Sequence, residues 1–368
     1  MVRVACRVRS TGRRCRVESV RYRRLGNSGT VVSNLTLGTM TFGGATSEEG
    51  AFAQLDAYLA AGGTLVDTAD VYTGGESERI VGRWFADRAS EVTDRVVLAT
   101  KGRFPTAEDP NGVGLSRRHL SRALDASLSR LGVDVIDLYQ VHAWDPLTPI
   151  EETLGFLDDA VRAGKIRHFG LSNFTGWQLQ KTVDVARFRG LPVPITLQPQ
   201  YNLLTRELEW EIVPAAQENG LGLLPWSPLA GGLLTGKYQQ DTEPAEHTRY
   251  GDGSTQPARF MYGRRTAAQR TWEVLDALRD IAEQRAASIA QIALAWVAGR
   301  PAVSSVILGA RTLEQLTDNL GAADLVLSAE ETETLTKVSD PEPADYPYGR
   351  FGSFQRTRPL SGGRGELS

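Results

Sequence analysis

Four side chains of this chain, Asp67, Tyr72, Lys101 and His142, each stand at or just past the end of a short apolar run, and together they could deliver a proton to a substrate oxygen. A free tyrosine has a pKa near ~10 and is a poor acid at neutral pH. A lysine cation beside it favours the phenolate and is expected to lower that pKa. Asp67 would hold Lys101 charged and in place, and His142 could hydrogen-bond a substrate oxygen and so polarise a carbonyl. Taken singly, each has a plainer reading: Asp67 as a helix cap, Lys101 as a surface lysine, His142 as a hydrogen-bonded core histidine. The set carries the expectation, not any one member. With four histidines in the chain and no H-E-x-x-H, no metal site is expected.

Such a set needs a scaffold that brings distant residues to one place. Apolar runs recur at 35–37, 64–66, 96–99, 135–141, 166–171, 195–197, 221–224 and 305–308. They lack clean alternation, so they read as strands buried on both faces of a parallel sheet. Stretches with helical spacing lie between most of them, at 48–61, 116–131 and 149–163; the last opens Thr148-Pro149-Ile150-Glu151-Glu152, read as a cap, a first-turn proline and first-turn acids. Eight strands alternating with helices fit a closed barrel or an open doubly wound sheet. An open dinucleotide-binding sheet should carry G-x-G-x-x-G after its first strand; Gly38-Thr39-Met40-Thr41-Phe42-Gly43-Gly44 has the wrong spacing. The expected fold is therefore α/β, a (β/α)8 TIM barrel. A hairpin at 22–32, turning at Gly26-Asn27-Ser28-Gly29, would close its floor. Long loops at 239–265 and 341–368 would lie on its carboxyl-terminal face. In that fold every strand end meets at one mouth, where barrel enzymes place their sites. Asp67 to Tyr72, Lys101, His142, Ser172-Asn173, Gln198, Trp226-Ser227 and Gly309 to Arg311 all converge there.

The motif Asp67-Thr68-Ala69-Asp70-x-Tyr72, followed by Gly74-Gly75-Glu76-Ser77-Glu78, resembles the active-site signature of the aldo-keto reductase superfamily, and Asp67, Tyr72, Lys101 and His142 match its catalytic tetrad in identity and order. The resemblance spans roughly 21–338. Within the superfamily it is nearest the bacterial branch related to voltage-gated potassium-channel β-subunits, through Trp226-Ser227-Pro228-Leu229-Ala230, Leu233-Leu234-Thr235-Gly236-Lys237-Tyr238 and the stretch from Ser304 to Asn319. The resemblance implies a nicotinamide cofactor, NADP(H), extended across the barrel mouth. Thr39, Met40 and Asp67 would border it, Ser172, Asn173 and Gln198 would grip the carboxamide, and Trp226 would stack on the nicotinamide ring. Ser227, Pro228, Leu229, Ala230 and Lys237 would line the pyrophosphate. Gly309, Arg311, Gln315 and Asn319 would hold the adenosine end, where a helix over 311–320 offers its amino terminus to phosphate. Many β-subunit-like chains have a small residue where Arg311 stands. Arg311 is read either as a bidentate ligand of a 2′-phosphate or as a helix-surface arginine, the first being preferred.

Composition narrows the partners. The chain has 368 residues, 41% hydrophobic, with a net charge of −3, so a small-molecule carbonyl substrate is expected rather than nucleic acid. No apolar run approaches the ~18 residues of a membrane span. Charge is uneven: residues 1–24 carry nine arginines against Glu18, a +8 segment that leaves −11 for the rest. Three units follow: a basic leader, 1–20; the barrel, 21–340; and a tail, 341–368. The leader reads as a disordered extension or misassigned start, with a transit segment or basic contact arm as alternatives; it holds both cysteines, Cys6 and Cys15. A cytoplasmic location is expected, and self-association into a homo-oligomer stays open. Gly231 to Tyr238 nearly matches a phosphate-binding loop, but Tyr238 replaces the magnesium-binding hydroxyl. The asparagine triplets at 34 and 173 are chance matches to a glycosylation site. The expected activity is NADPH-dependent reduction of an aldehyde or ketone with Tyr72 as general acid. The alternatives are a keto-sugar or natural-product ketoreductase of the same mechanism, and a cofactor-binding regulatory subunit with little turnover.

Overall fold

A computed structural model describes residues 20–246, 248–251 and 256–357. The hairpin forms first in the chain, as β1 (Tyr22–Arg24) and β2 (Val31–Ser33), antiparallel with Tyr22 opposite Ser33. Eight parallel strands follow in one sheet: β3 (Leu35–Gly38), β4 (Leu65–Asp67), β5 (Val97–Gly102), β6 (Ile136–Val141), β7 (Ile166–Ser172), β8 (Thr196–Gln198), β9 (Gly222–Leu223) and β10 (Val306–Leu308). Consecutive strands pair in sequence order and β10 returns to β3. The circle closes between β9 and β10, where Leu223 bridges Val303 in parallel and the Ile307 amide donates to the Pro225 carbonyl at 3.0 Å. This is a (β/α)8 barrel with an N-terminal hairpin.

Sequence periodicity explains how the interior is layered. Side chains two residues apart on a strand share a face. Leu65, Ala99, Leu138, Leu224 and Ile307 fill a lower, apolar layer together with Leu25 and Val32 of the hairpin. One step up the same strands stand Asp67, Lys101 and Gln140, with Lys101 in register with Gln140. The polar layer thus rests on the apolar one and faces the carboxyl ends of the strands, the functional face of this fold. The hairpin tip plugs the opposite end. Gly26 has φ +56, and a Cβ there would lie 1.9 Å from the Ile195 carbonyl oxygen, so only glycine fits; its amide donates to Ser304 Oγ at 3.2 Å.

The helices start where side chains cap them. Ser47 accepts from the Gly50 amide, Ser116 from the His119 amide, and Ser288 and Ser328 form capping boxes with Gln291 and Glu331. Four local expectations are corrected. The helix expected from Thr148 is Ile150–Arg162 with Pro149 itself at the cap, because the Thr148 hydroxyl donates to Asp145 instead. The helix expected over 311–320 is Leu313–Leu320, capped by Thr312. The stretch 239–265, expected to be loop, contains most of the helix Gln256–Thr266. Residues 341–368, expected to lack helix, contain Arg350–Arg356. Neither of these last two shows an apolar stripe: Phe260 and Phe351 face solvent, and of Arg350–Arg356 only Gly352 is buried. The tail is pinned by a stack of Tyr348 on Trp210, centroids 5.3 Å apart. The leader, both cysteines and the last eleven residues lie outside the described residues, except Val20, which is buried in the core. Among the described residues no helix is long and apolar enough to cross a membrane.

Candidate active site

The structure brings Asp67, Tyr72, Lys101 and His142 together. Lys101 Nζ donates to Asp67 Oδ2 at 2.6 Å, to the Thr68 carbonyl at 2.8 Å and to the Tyr72 hydroxyl at 3.2 Å. Three donations use up the ammonium's three protons. Lys101 is wholly buried and Asp67 nearly so, so the pair is desolvated and depends on its mutual contact. Asp67 Oδ1 accepts from Gln140 Nε2 at 3.1 Å and Gln198 Nε2 at 3.0 Å. The Tyr72 ring stands edge-on to the His142 ring, centroids 6.0 Å apart.

The electrostatics refine one expectation. Burial pushes the Tyr72 phenol above its ordinary value; Lys101 pulls it back, and Asp67 adds to the rise. The net shift is upward, not downward, because the ring is packed away from water. Tyr72 therefore carries its proton at neutral pH, as a donor must. Burial pulls the Lys101 ammonium down, but Asp67 and Tyr72 together more than offset it, and its pKa is raised. Burial, then the charges of Lys101 and Arg103, drive His142 down to about 2, so its imidazole is neutral. A neutral ring can give one N–H to an oxygen without bringing a charge.

The cofactor residues expected from the sequence divide into groups. Gln198 is turned inward onto Asp67, and Thr39 is buried with its hydroxyl on Ser77 and the Asp67 carbonyl; both brace the polar layer. Ser172 Oγ donates to the Gln198 carbonyl, and Asn173, at φ +54, donates to the His142 carbonyl and accepts from Trp226 Nε1 at 3.1 Å. Met40 reaches solvent. From Ser227 to Gly236 the backbone turns repeatedly left-handed, at Ser227, Ala230, Gly231, Gly232 and Gly236. A Cβ on Gly231 would lie 2.1 Å from the Tyr250 hydroxyl, which itself donates to the Ala230 carbonyl at 3.0 Å. Such runs turn successive amides to one side, a shape suited to an anion. Pro228 is buried and Leu229 half-buried beside it. Lys237 is held below its ordinary pKa by burial and by the nearby charges of Arg311 and Arg249. Crowded cations beside left-handed amides suit a pyrophosphate with a further phosphate. Gly309 is exposed, Gln315 accepts from the Arg311 amide at 2.9 Å, and Asn319 is buried on the same short helix. Among the described residues no cluster of His, Cys, Asp or Glu could hold a metal ion.

Sequence reasoning gave no role to Gln140, Arg249 or Asp70. Gln140 was within reach, since it precedes His142 by two and so shares its strand face. Arg249 was not, because it comes from an irregular segment far along the chain. Asp70 lies in the signature yet neither of its buried oxygens has a hydrogen-bond partner among the described residues, and the Tyr139 hydroxyl is in the same condition. Burial, then the charge of Glu78, pushes Asp70 up to about 7, with Arg130 and Lys101 opposing. An acid whose pKa is higher folded than unfolded costs stability as pH rises from about 4 to 7. Asp70→Asn should therefore be more stable than the parent above pH 7, by at most roughly 4 kcal/mol at 1.36 kcal/mol per pH unit, and the gain should vanish near pH 4. Thermal melts of both proteins across pH 4–8 check this; a gap that does not change with pH would remove the buried charge as its cause.

The barrel mouth thus gathers a lysine-backed tyrosine, a neutral histidine and a run of left-handed turns next to Lys237. The chain belongs to the aldo/keto reductase family, whose profile matches residues 34–340. It is 38% identical to an uncharacterized oxidoreductase, YrpG, of Bacillus subtilis, over 86% of this chain and 95% of that one. It is 36% identical to a probable voltage-gated potassium channel subunit beta of Oryza sativa subsp. japonica, over 88% and 98% of the two chains. It is 32% identical to versiconal hemiacetal acetate reductase of Aspergillus parasiticus, over 87% and 97%.

Proposed function

We propose that this protein reduces an aldehyde or ketone to the alcohol with NADPH, Tyr72 acting as general acid. The observation that supports this most is the chain Asp67–Lys101–Tyr72, with contacts of 2.6 and 3.2 Å, opening beside a neutral His142 at the barrel mouth. The nicotinamide, when bound, supplies a hydride to the carbonyl carbon. His142 and Tyr72 face the carbonyl oxygen, His142 orienting it and Tyr72 giving its proton as negative charge builds there. The phenolate left on Tyr72 is met at once by Lys101, whose own charge is held by Asp67. Gln140 and Gln198 fix that carboxylate so that Lys101 cannot drift. Around this core, Trp226 and Asn173 would face the nicotinamide, the 227–237 segment the pyrophosphate, and Arg311 with Lys237 and Arg249 the remaining phosphate.

A second reading, a cofactor-binding regulatory subunit with little turnover, draws on the relative named as a potassium channel subunit. The full proton-donor set, His142 included, favours turnover. Wild type should consume NADPH with a generic aldehyde and prefer it to NADH. Arg311→Ala should narrow that preference by roughly 1.5–3 kcal/mol, the range for hydrogen bonds to a charged group. Equal use of both dinucleotides by parent and variant would remove Arg311 as the phosphate ligand, and no aldehyde consumption at all would favour the regulatory reading.

A further inference from the structure

Arg103 follows Lys101 by two residues, in the loop that leaves the carboxyl end of β5, and its guanidinium covers the Phe104 ring at 5.0 Å. Phe104 in turn meets the His142 ring edge-on, centroids 4.7 Å apart. The cation is therefore one aromatic ring away from the imidazole that faces the reacting oxygen. Its hydrogen-bonding capacity is largely unspent. Nε is buried without a partner, and Nη2 reaches only the Trp144 carbonyl, at 3.5 Å. Among the described residues Arg103 makes no ion pair. The acid closest by charge, Asp145, is already engaged: its oxygens accept from the Leu115 amide at 2.8 Å, the Thr148 hydroxyl at 2.6 Å and the Leu147 amide at 3.0 Å. Arg83, Arg88 and Arg117, on the outer helices or their ends, are by contrast paired with carboxylates. A half-buried guanidinium that makes no ion pair and keeps donors unspent beside a reaction centre is placed to meet an anion arriving there.

The surroundings indicate the shape of what does. Trp144 packs edge-on against Phe174 and Trp177, centroids 5.3 and 5.4 Å apart, and Trp177 and Leu147 are left exposed at the rim. Lys181 Nζ lies over the Trp144 ring at 6.0 Å, so both cations of this aromatic cluster favour a flat molecule carrying an anionic end. We infer that Arg103, framed by Phe104 and Trp144, anchors a carboxylate on the substrate, so that the site takes best a carbonyl compound bearing an acid group across an aromatic ring or chain of similar span. The guanidinium fork matches a carboxylate with two parallel hydrogen bonds. This rests on the reductase reading above and adds a substrate class to it.

The test uses three aldehydes with the wild-type protein and NADPH: benzaldehyde, 4-carboxybenzaldehyde and the methyl ester of the latter, which keeps the size and removes the charge. Wild type should favour the acid over the ester in kcat/KM by about 10–100-fold, the factor expected of a charge-assisted contact, carried mainly in KM. Arg103→Met should bring the ratio close to one. Arg103→Lys should keep part of it, since a lysine restores the charge but not the fork. Added salt should shrink the wild-type ratio, which needs no variant to fold. A wild-type ratio near one, or a ratio that survives Arg103→Met, would overturn the inference while leaving carbonyl reduction standing. Failure of wild type to reduce any of the three aldehydes would overturn the reductase reading itself, and this inference with it.

Discussion

Tyr72→Phe should slow the chemical step of carbonyl reduction by roughly 10²–10⁴-fold, the usual contribution of a positioned general acid, and leave NADPH affinity nearly unchanged. The substitution keeps the ring that stands edge-on to His142 and removes only the hydroxyl that Lys101 Nζ reaches at 3.2 Å. Burial keeps that phenol protonated at neutral pH, so the donor is present before the reaction begins. Lys101 then acts on the product of the proton transfer, the phenolate, more than on the resting phenol. The proposed dinucleotide contacts come from later strands and loops, which explains why binding should survive. Single-turnover kinetics and dinucleotide titration of parent and variant separate the two quantities. Near-normal turnover in Tyr72→Phe would end the general-acid role.

Lys101→Met should damage both stability and turnover. The ammonium is wholly buried against Asp67 at 2.6 Å, and removing one partner of a buried pair leaves the other charge uncompensated, at a cost of about 3–5 kcal/mol. The amides of Gln140 and Gln198 still reach Asp67 Oδ1, which places the loss toward the lower end of that range. Turnover should fall as well, because the Tyr72 phenolate would form without a cation. In the double variant with Tyr72→Phe the catalytic losses should not add, since both act through one proton transfer. Denaturant midpoints and single-turnover rates for the two single variants and the double one provide the check. A Lys101→Met protein of unchanged stability would mean that Asp67 is not held by this pair, and additive catalytic losses would mean that Lys101 acts elsewhere.

The fold was readable because its signals are local and repeated. Short apolar runs without alternation, recurring between helical stretches, read as strands covered on both faces, and polar residues at the run ends point to one site because in a barrel those ends meet. The convergence of Asp67, Lys101 and His142 was readable for the same reason, each standing at or next to a strand end, with Tyr72 five residues past the end of its strand. Four things escaped. The sign of the Tyr72 shift depends on how much protein surrounds the ring, and no spacing reports that. The inward turn of Gln198 is decided by Asp67, 131 residues away in the chain, whose second oxygen needs a donor. The helices Gln256–Thr266 and Arg350–Arg356 have no buried stripe, so the period that reveals the others is missing. Arg103 was legible only as one more arginine; its stacking on Phe104 and its unpartnered Nε are properties of the assembled mouth.

The most direct measurement of the central claim is product analysis of a single turnover with NADPH deuterated at both C4 positions of the nicotinamide and a simple aldehyde. Carbonyl reduction at this site predicts one alcohol per dinucleotide consumed, with one deuterium on the carbinol carbon and a proton from solvent, by way of Tyr72, on its oxygen. Bound dinucleotide that stays unoxidised, or alcohol without deuterium on carbon, would contradict it.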